Sequence, residues 1–364
     1  MKKIGIMTMH RIINYGSYLQ AYSLKKIIEN ITDSKVEFVD YKYEKSIVDN
    51  MEEANSWIKK FKNNKNPINY FKKKKFLKKN SKQYEDDLRL IGVSKKNYNH
   101  DIDMLVIGSD EVFNCMQGYP VGYSRTLFGK TYEDIKVISY AGSFGHTSYE
   151  EMIKYGIADE VADMLKRFDA ISVRDDNSRR IVMKMGIKLV YKHLDPVLIY
   201  EFKEEKCNAK LKIDNYIIVY AYTARLSSDE EKYIKLFAHK YGKKIVSIGY
   251  FSAIADFNIS CNPLEVFEYF QRADYVITDT FHGTIFSIKT NSKFCTIIRE
   301  SNRNKIMDLL TTLNRTDRVV NELGDIEKLY NTAIDYDITN KIIFRERNNS
   351  IQFLSSMISQ IEEK

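Results

Sequence analysis

Residues 275–287, YVITDTFHGTIFS, carry the reading of the fold. Tyr275, Val276, Ile277 and Thr278 form a short β-favouring run, which stops at a polar turn, Asp279-Thr280-Phe281-His282-Gly283-Thr284, before an apolar helix continues to Lys289. Strand, polar turn and helix in that order make the unit of an open parallel α/β sheet, and such sheets bind ligands beyond the carboxyl ends of their strands. A helix N-terminus placed there presents free backbone N–H groups and the positive end of the helix dipole, both suited to phosphate or carboxylate. Gly283 permits close backbone approach, Thr280 and Thr284 cap or donate, and His282 would sit against the anion as a donor or a source of a proton. A single turn of this kind is also explained by Asp279 or Thr280 capping a helix while His282 fills a polar niche, so the surrounding chain has to decide.

The unit recurs in both directions. Residues 216–222, 244–249 and 294–298 read as further buried strands of the same half, separated by helices at 228–241, 263–271 and 282–289. Upstream, residues 3–8, 36–41, 103–108, 136–140, 170–174 and 188–193 read as buried strands with helices at 15–29, 152–168 and 176–185, and this series closes near Asp195-Pro196. A polar, charged stretch at 203–215 links the two series. The expected architecture is α/β: two Rossmann-like doubly wound domains, at 1–200 and 201–340, facing a central cleft, with a helix from about Asn349 in 341–364 packing back on the first domain. The opening βαβ unit lacks the glycines of a dinucleotide fingerprint, since Gly5 and Gly16 stand far apart and form no GxGxxG, which speaks against a nicotinamide or flavin cofactor.

Composition narrows the class further. The 364 residues are 44% hydrophobic and contain four prolines and fifteen glycines, which suits two packed domains and excludes a collagenous or low-complexity chain. A net charge of +8 favours anionic partners. Cys115, Cys207, Cys261 and Cys295 are scattered without metal-ligand spacing, no segment is long and apolar enough to span a membrane, and the start, MKKIGIMTMHRI, does not read as a signal peptide, so a cytoplasmic protein without a bound metal is expected. Residues 57–82 break the βα pattern with dense lysine and interleaved aromatics and read as two short basic amphipathic helices around Pro67. Such a basic helical insertion suits peripheral contact with an anionic membrane at its inner face, a groove for a phosphate-bearing acceptor, or simple packing on the body; no nucleic-acid module accompanies the charge.

The other strand ends carry chemistry of the same kind. In DMLVIGSDEVFN a buried strand reaches Gly108, and Ser109, Asp110, Glu111 and Asn114 follow, with two adjacent carboxylates of which one can serve as general base or as a cap. The first turn, HRIINYGSYLQAYSL, supplies Asn14, Tyr15, Gly16 and Gln20, residue types common in sugar contacts, and SYAGSFG supplies a third polar turn. Arg174 closes AISVR, Arg225 follows YIIVYAYTA, Arg299 and Arg303 follow a later strand, and Lys289 lies one to two turns into the helix after His282; all are candidates for binding a planar anion in the cleft.

NYGSYLQAYSL, DMLVIGSDEVFN, KVISYAGSFG, ISVRDDNS, HLDPVLI and ITDTFHGTIFSI stand in the order, and at about the spacing, of the signatures of the polysaccharide pyruvyl transferase family, which the chain resembles from residue 3 to about 318. The resemblance implies a GT-B-like fold and an enzyme that uses phosphoenolpyruvate to place a cyclic pyruvyl ketal on two sugar hydroxyls of a cell-surface polysaccharide or its lipid-linked precursor, releasing phosphate. It implies that His282 protonates the methylene of phosphoenolpyruvate and that Arg174 contacts the donor's charged groups. That chemistry needs an acid, anion-binding donors and a base, and no metal or redox cofactor. The expected catalytic residues are His282 and Asp110; the expected donor-binding residues are Arg174, Arg225, Thr280, Gly283, Thr284, Lys289 and Arg303. Asn14, Tyr15, Gly16, Gln20, Ser109, Glu111 and Asn114 are the expected acceptor side. Where the family carries Gln-Val-Trp after the GSD motif, this chain has Glu111-Val112-Phe113, which adds a charge and removes an aromatic face near the expected acceptor. Two other readings share the central turn: a GT-B glycosyltransferase with a nucleotide-sugar donor, and a non-catalytic glycan-binding relative.

Overall fold

The computed structural model of the chain describes residues 1–48, 67–93, 95–118, 121–203, 205 and 213–363. Its apolar runs form two parallel six-stranded sheets. The first contains β1 (Lys3–Met7), β2 (Lys35–Phe38), β3 (Met104–Asp110), β4 (Lys136–Gly142), β5 (Ser172–Val173) and β6 (Tyr191–Lys192) in the order β2-β1-β3-β4-β5-β6. The second contains β7 (Tyr216–Tyr220), β8 (Lys244–Ile248), β9 (Phe257–Ile259), β10 (Tyr275–Thr278), β11 (Phe294–Ile297) and β12 (Val319–Val320) in the order β12-β11-β10-β7-β8-β9. Strands buried on both faces carry continuous apolar sequence, as IIV and VI do here in β7 and β10.

In each sheet the strand order reverses direction at one place, between β1 and β3 in the first and between β7 and β10 in the second. At these switch points neighbouring connections leave toward opposite edges and open a crevice at the carboxyl ends. In the second sheet β10 and β7 end flush, Thr278 opposite Tyr220, whereas in the first β1 ends with Met7 opposite Ile107 and β3 runs on to Asp110.

The first sheet is covered by α1 (Tyr15–Glu29), α2 (Pro67–Leu90), α3 (Tyr149–Lys154), α4 (Ala158–Leu165) and α5 (Asp176–Lys184), and the short α6 (Pro196–Ile199) leads out of it. The second carries α7 (Ser228–Lys240), α8 (Val266–Arg272), α9 (Phe281–Lys289), α10 (Arg303–Thr312) and α11 (Asp325–Tyr330), and α12 (Asp337–Glu362) ends the chain. One apolar layer runs through both halves: Leu24 and Ile28 of α1, Val197 and Leu198 of α6, Ile285 and Phe286 of α9 and Phe353 and Leu354 of α12 belong to a single buried cluster. That shared layer holds the two crevices toward each other.

Two elements differ from the expectation. The final helix starts at Asp337 rather than near Asn349, because its first turns are mostly exposed and polar and leave no clear apolar period; Phe353 then packs 4.7 Å from His193 and 4.9 Å from Tyr191 of the first domain. Of the basic stretch 57–82, residues 57–66 lie outside the described residues, and the rest belongs to one 24-residue helix, α2. Its inner face spans both halves: Tyr84 donates to the carbonyls of His10 and Ile12, Phe76 lies 6.1 Å from Phe251, and Asn80 Nδ2 donates to Gly249 O at 3.2 Å. Among the described residues no helix is long and apolar enough to cross a membrane.

Candidate active site

The turn after β10 is built from its own hydroxyls. Thr280 caps α9, its Oγ1 accepting from Gly283 N at 2.9 Å, while Thr278 Oγ1 accepts from Thr280 N at 3.1 Å and donates to Tyr220 O at 2.7 Å. A Cβ on Gly283 would meet Thr278 Oγ1 at 2.1 Å and the Tyr220 ring at 2.8 Å, so close helix-on-strand packing is what requires glycine there. Thr284 turns inward, donating to Thr280 O at 3.0 Å and lying 3.1 Å from Thr296 Oγ1.

His282 emerges from this cap into the space between the two domains. Its ring packs on the backbone of Gly16 at the start of α1, where a Cβ would come within 2.1 Å of the imidazole. Its Nε2 lies 3.6 Å from Asp195 Oδ2, an ion-pair distance once the ring is protonated. Asp195 caps α6, accepting from Val197 N at 3.0 Å, and also receives Arg174 Nη1 at 3.0 Å and Ser109 Oγ at 3.4 Å. Burial pushes the Asp195 carboxyl up, but His282 and Arg174 outweigh it and hold the group below the ordinary carboxylate range. The Arg174 guanidinium stacks 4.2 Å from the centre of the Phe281 ring, and its Nε and Nη2 are buried without hydrogen-bond partners among the described residues. A buried guanidinium with unused donors is a standing anion-binding group.

In front of His282 opens a cleft of about 530 Å³ lined from both switch points. The first domain contributes Asn14, Ser17, Asp110, Glu111, Asn114 and His146; the second contributes Tyr222, Phe281, His282 and Lys305. Asn14 caps α1 and reaches across the cleft, Nδ2 to Tyr222 Oη at 3.4 Å. Ser17 Oγ donates to Asp110 Oδ2 at 2.9 Å. Lys305 of α10 forms an ion pair with Glu111, and Asn114 Nδ2 donates to Glu111 Oε2 at 2.7 Å. Burial would raise the Glu111 carboxyl, yet Lys305 and Asn114 hold it at about 2.

Of the residues expected from sequence, His282, Asp110, Asn14, Glu111 and Asn114 meet in the cleft, Gly16 forms the bed of the histidine ring, and Arg174 and Ser109 stand behind it on Asp195. Others lie elsewhere. Arg225 and Arg299 both face the buried Asp279, at 3.4 and 3.0 Å, and Arg299 also binds Glu230. Lys289 points to the far end of α9, donating to the carbonyls of Leu198 and Tyr200, and Arg303 is exposed beside Glu300. Tyr15 Oη donates to Cys261 O at 2.9 Å, and Gln20 Nε2 donates to Thr8 Oγ1 at 2.8 Å, both buried off the cleft. Phe113 is in the core against Phe128 and Phe144, so of the two departures at 111–113 only the Glu111 charge reaches the site.

Sequence reading passed over Asp195, Lys305, His146 and Tyr222 as site residues. Asp195 lay in the quoted HLDPVLI and His146 one residue beyond SYAGSFG, so both had a signal; Lys305 had none beyond its neighbour Arg303. Among the described residues no group of three His, Cys, Asp or Glu side chains is arranged to hold a metal ion. A histidine backed by a buried carboxylate, beside a lysine and an arginine with free donors, is equipped to bind an anion and deliver a proton to it.

The chain is similar in structure to UDP-GlcNAc 2-epimerase from Methanocaldococcus jannaschii, at 12% identity over 95% of this chain and 98% of that one, with a TM-score of 0.52. It is also similar to UDP-N-acetylglucosamine 2-epimerase from Rickettsia bellii, at 10% identity over 99% and 95%, TM-score 0.50, and to a glycotransferase of kitacinnamycin, at 9% identity over 99% and 98%, TM-score 0.51. At such identities the likeness is one of fold, the GT-B arrangement of two Rossmann-like domains. No curated protein matches the chain in sequence. Residues 14–301 match the family described as polysaccharide pyruvyl transferase, a span that opens at Asn14 on one wall of the cleft and takes in Asp110, Arg174, Asp195 and His282; the chain belongs to the polysaccharide pyruvyl transferase family.

Proposed function

We propose that the protein transfers the pyruvyl group of phosphoenolpyruvate to two hydroxyls of a saccharide, in a cell-surface polysaccharide or its lipid-linked precursor, and that it works in the cytoplasm. The observation that carries this reading is the His282–Asp195–Arg174 chain, which joins the second-domain switch point to the first domain, with Lys305 in the same cleft as His282. Phosphoenolpyruvate brings a carboxylate and a phosphate; Lys305 in the cleft offers a cationic partner, and Arg174, behind His282 on Asp195, adds its positive charge. Protonated His282 gives its proton to the methylene carbon, which becomes a methyl group and leaves carbon 2 electrophilic. One acceptor hydroxyl adds to carbon 2, phosphate leaves, and a second hydroxyl closes the ketal. The two hydroxyl protons balance the one taken by carbon and the one leaving with phosphate.

Asp195 would fix the orientation of the His282 ring against Gly16, a positioning role. On the acceptor side Asp110, oriented by Ser17, is the candidate base, because Glu111 is already engaged by Lys305 and Asn114. The test is phosphate release from phosphoenolpyruvate with candidate acceptors, in wild type and in His282→Ala. The proposal expects acceptor-dependent release that the variant loses while thermal stabilisation by phosphoenolpyruvate persists. Stabilisation by a nucleotide diphosphate and none by phosphoenolpyruvate would replace it with a nucleotide-sugar reaction.

A further inference from the structure

Between Pro67 and Tyr84, α2 carries seven lysines and no acidic residue; its acids, Glu85, Asp86 and Asp87, come only toward its end. The first turn carries no charge and the last carries Arg89, and the helix dipole is felt only within these end turns, so it does not account for the lysines from 72 to 82. The inner face is held by Phe76, Asn80, Tyr84 and Leu88, all buried. Opposite them, Phe71, Lys74, Lys75, Lys78 and Lys82 follow the spacing i, i+3, i+4, i+7, i+11, one exposed stripe about 16 Å long. Lys74, Lys75, Lys78 and Lys82 form no ion pair among the described residues. At the head of the stripe Phe71 is 68% exposed, and Tyr70, 57% exposed, meets it edge-on at 5.8 Å.

We propose that this outer face of α2 docks the protein on an anionic lipid bilayer. The lysines reach the lipid phosphates while their stems and the two rings enter the boundary between headgroups and acyl chains, a division of labour that uses both halves of the stripe. A soluble polyanion would engage the lysines and leave two exposed aromatics without a role. Because Tyr84 ties α2 to the carbonyls of His10 and Ile12, just before Asn14, docking also sets how the loop on the acceptor side of the cleft stands to the membrane. The proposal does not depend on the identity of the donor.

The full chain is sedimented with vesicles of phosphatidylglycerol and phosphatidylcholine, and with phosphatidylcholine alone, at low and high salt. Binding is expected only to the anionic vesicles and to weaken with salt. Each lysine removed in K74Q/K75Q/K78Q/K82Q should weaken partitioning about fivefold, and Phe71→Ser should weaken it severalfold, with unchanged circular dichroism. If the quadruple variant is not folded, K74Q/K78Q gives the same reading at half the charge. No sedimentation, equal binding to neutral vesicles, or lysine variants that bind like wild type would overturn the proposal. Competition by dextran sulfate together with full binding by Phe71→Ser would assign the stripe to a soluble polyanion and overturn it as well.

Discussion

Asp195 and Asp279 are both almost completely buried, both stand near His282, one 3.6 Å from its ring and the other on the turn before it, and both face arginine, yet they serve different ends. Asp279 Oδ2 is shared by Arg225 and Arg299, and Arg299 is bound in turn by Glu230 through two contacts at 2.8 and 2.9 Å, but Asp279 Oδ1 is buried without a hydrogen-bond partner among the described residues, and burial pushes the carboxyl above its ordinary range. Asp195 shares its charge with Arg174 and His282, which hold its carboxyl below the ordinary range; Arg174 Nε and Nη2 have no partner among the described residues, and His282 lines the cleft. Both clusters keep an unpartnered polar atom, and what separates them is place: Asp279, Arg225 and Arg299 lie off the cleft and tie elements together, whereas the Asp195 cluster reaches the cleft through His282 and is prepared for a ligand.

Substitutions in the two clusters should therefore separate activity from stability. The largest effect is expected from His282→Ala, a loss of about 10³-fold in phosphate release with little change in the unfolding midpoint, read by steady-state assay and thermal melting. Asp279→Ala should do the reverse, lowering stability by about 1–3 kcal/mol in urea titration because Arg225 and Arg299 lose a shared partner while Arg299 keeps Glu230, and the folded fraction should keep its turnover. An Asp279 variant that lost turnover at full stability would break the contrast. Asp195→Asn keeps the volume and removes the charge; it should lower turnover about tenfold or more in the phosphate-release assay, as the His282 ring loses the partner that orients it.

Lys305→Met sharpens the comparison from the cleft side. It should raise the KM for phosphoenolpyruvate about tenfold, in a salt-dependent way, and leave Glu111 without its cation. The smallest effect concerns pH. The Glu111 carboxyl is held at about 2 against an ordinary 4.5, so its ionised form contributes stability that is fully present above about pH 4.5 and is lost as pH falls toward 2. The stability difference between wild type and Lys305→Met should accordingly narrow over that window, and a difference constant down to pH 2 would remove the ion pair from the account.

Much of this was legible in the linear chain. Alternation of short apolar runs with helical periods marked two parallel sheets, and the turn at 279–284 pointed to its histidine because strand, cap and glycine lie within ten residues of one another. The family motifs carried Asp110, Arg174 and His282 together across the chain. Arginines at strand ends were harder to read. Arg174 and Arg299 each close a strand, and one retains free donors while the other is saturated by Glu230 from a helix 69 residues away.

The local physics of hydrophobic period, capping and turn chemistry thus determined where the strands end and which turns could hold an anion, since each depends on neighbours a few residues apart. Only the tertiary structure decided the partners. His282 meets Gly16 and Asp195, Lys305 meets Glu111, and Asn14 meets Tyr222, through contacts between residues far apart in sequence. Such pairings arise when the shared apolar layer of α1, α6 and α9 sets the two switch points face to face, and no pattern within either half specifies that distance.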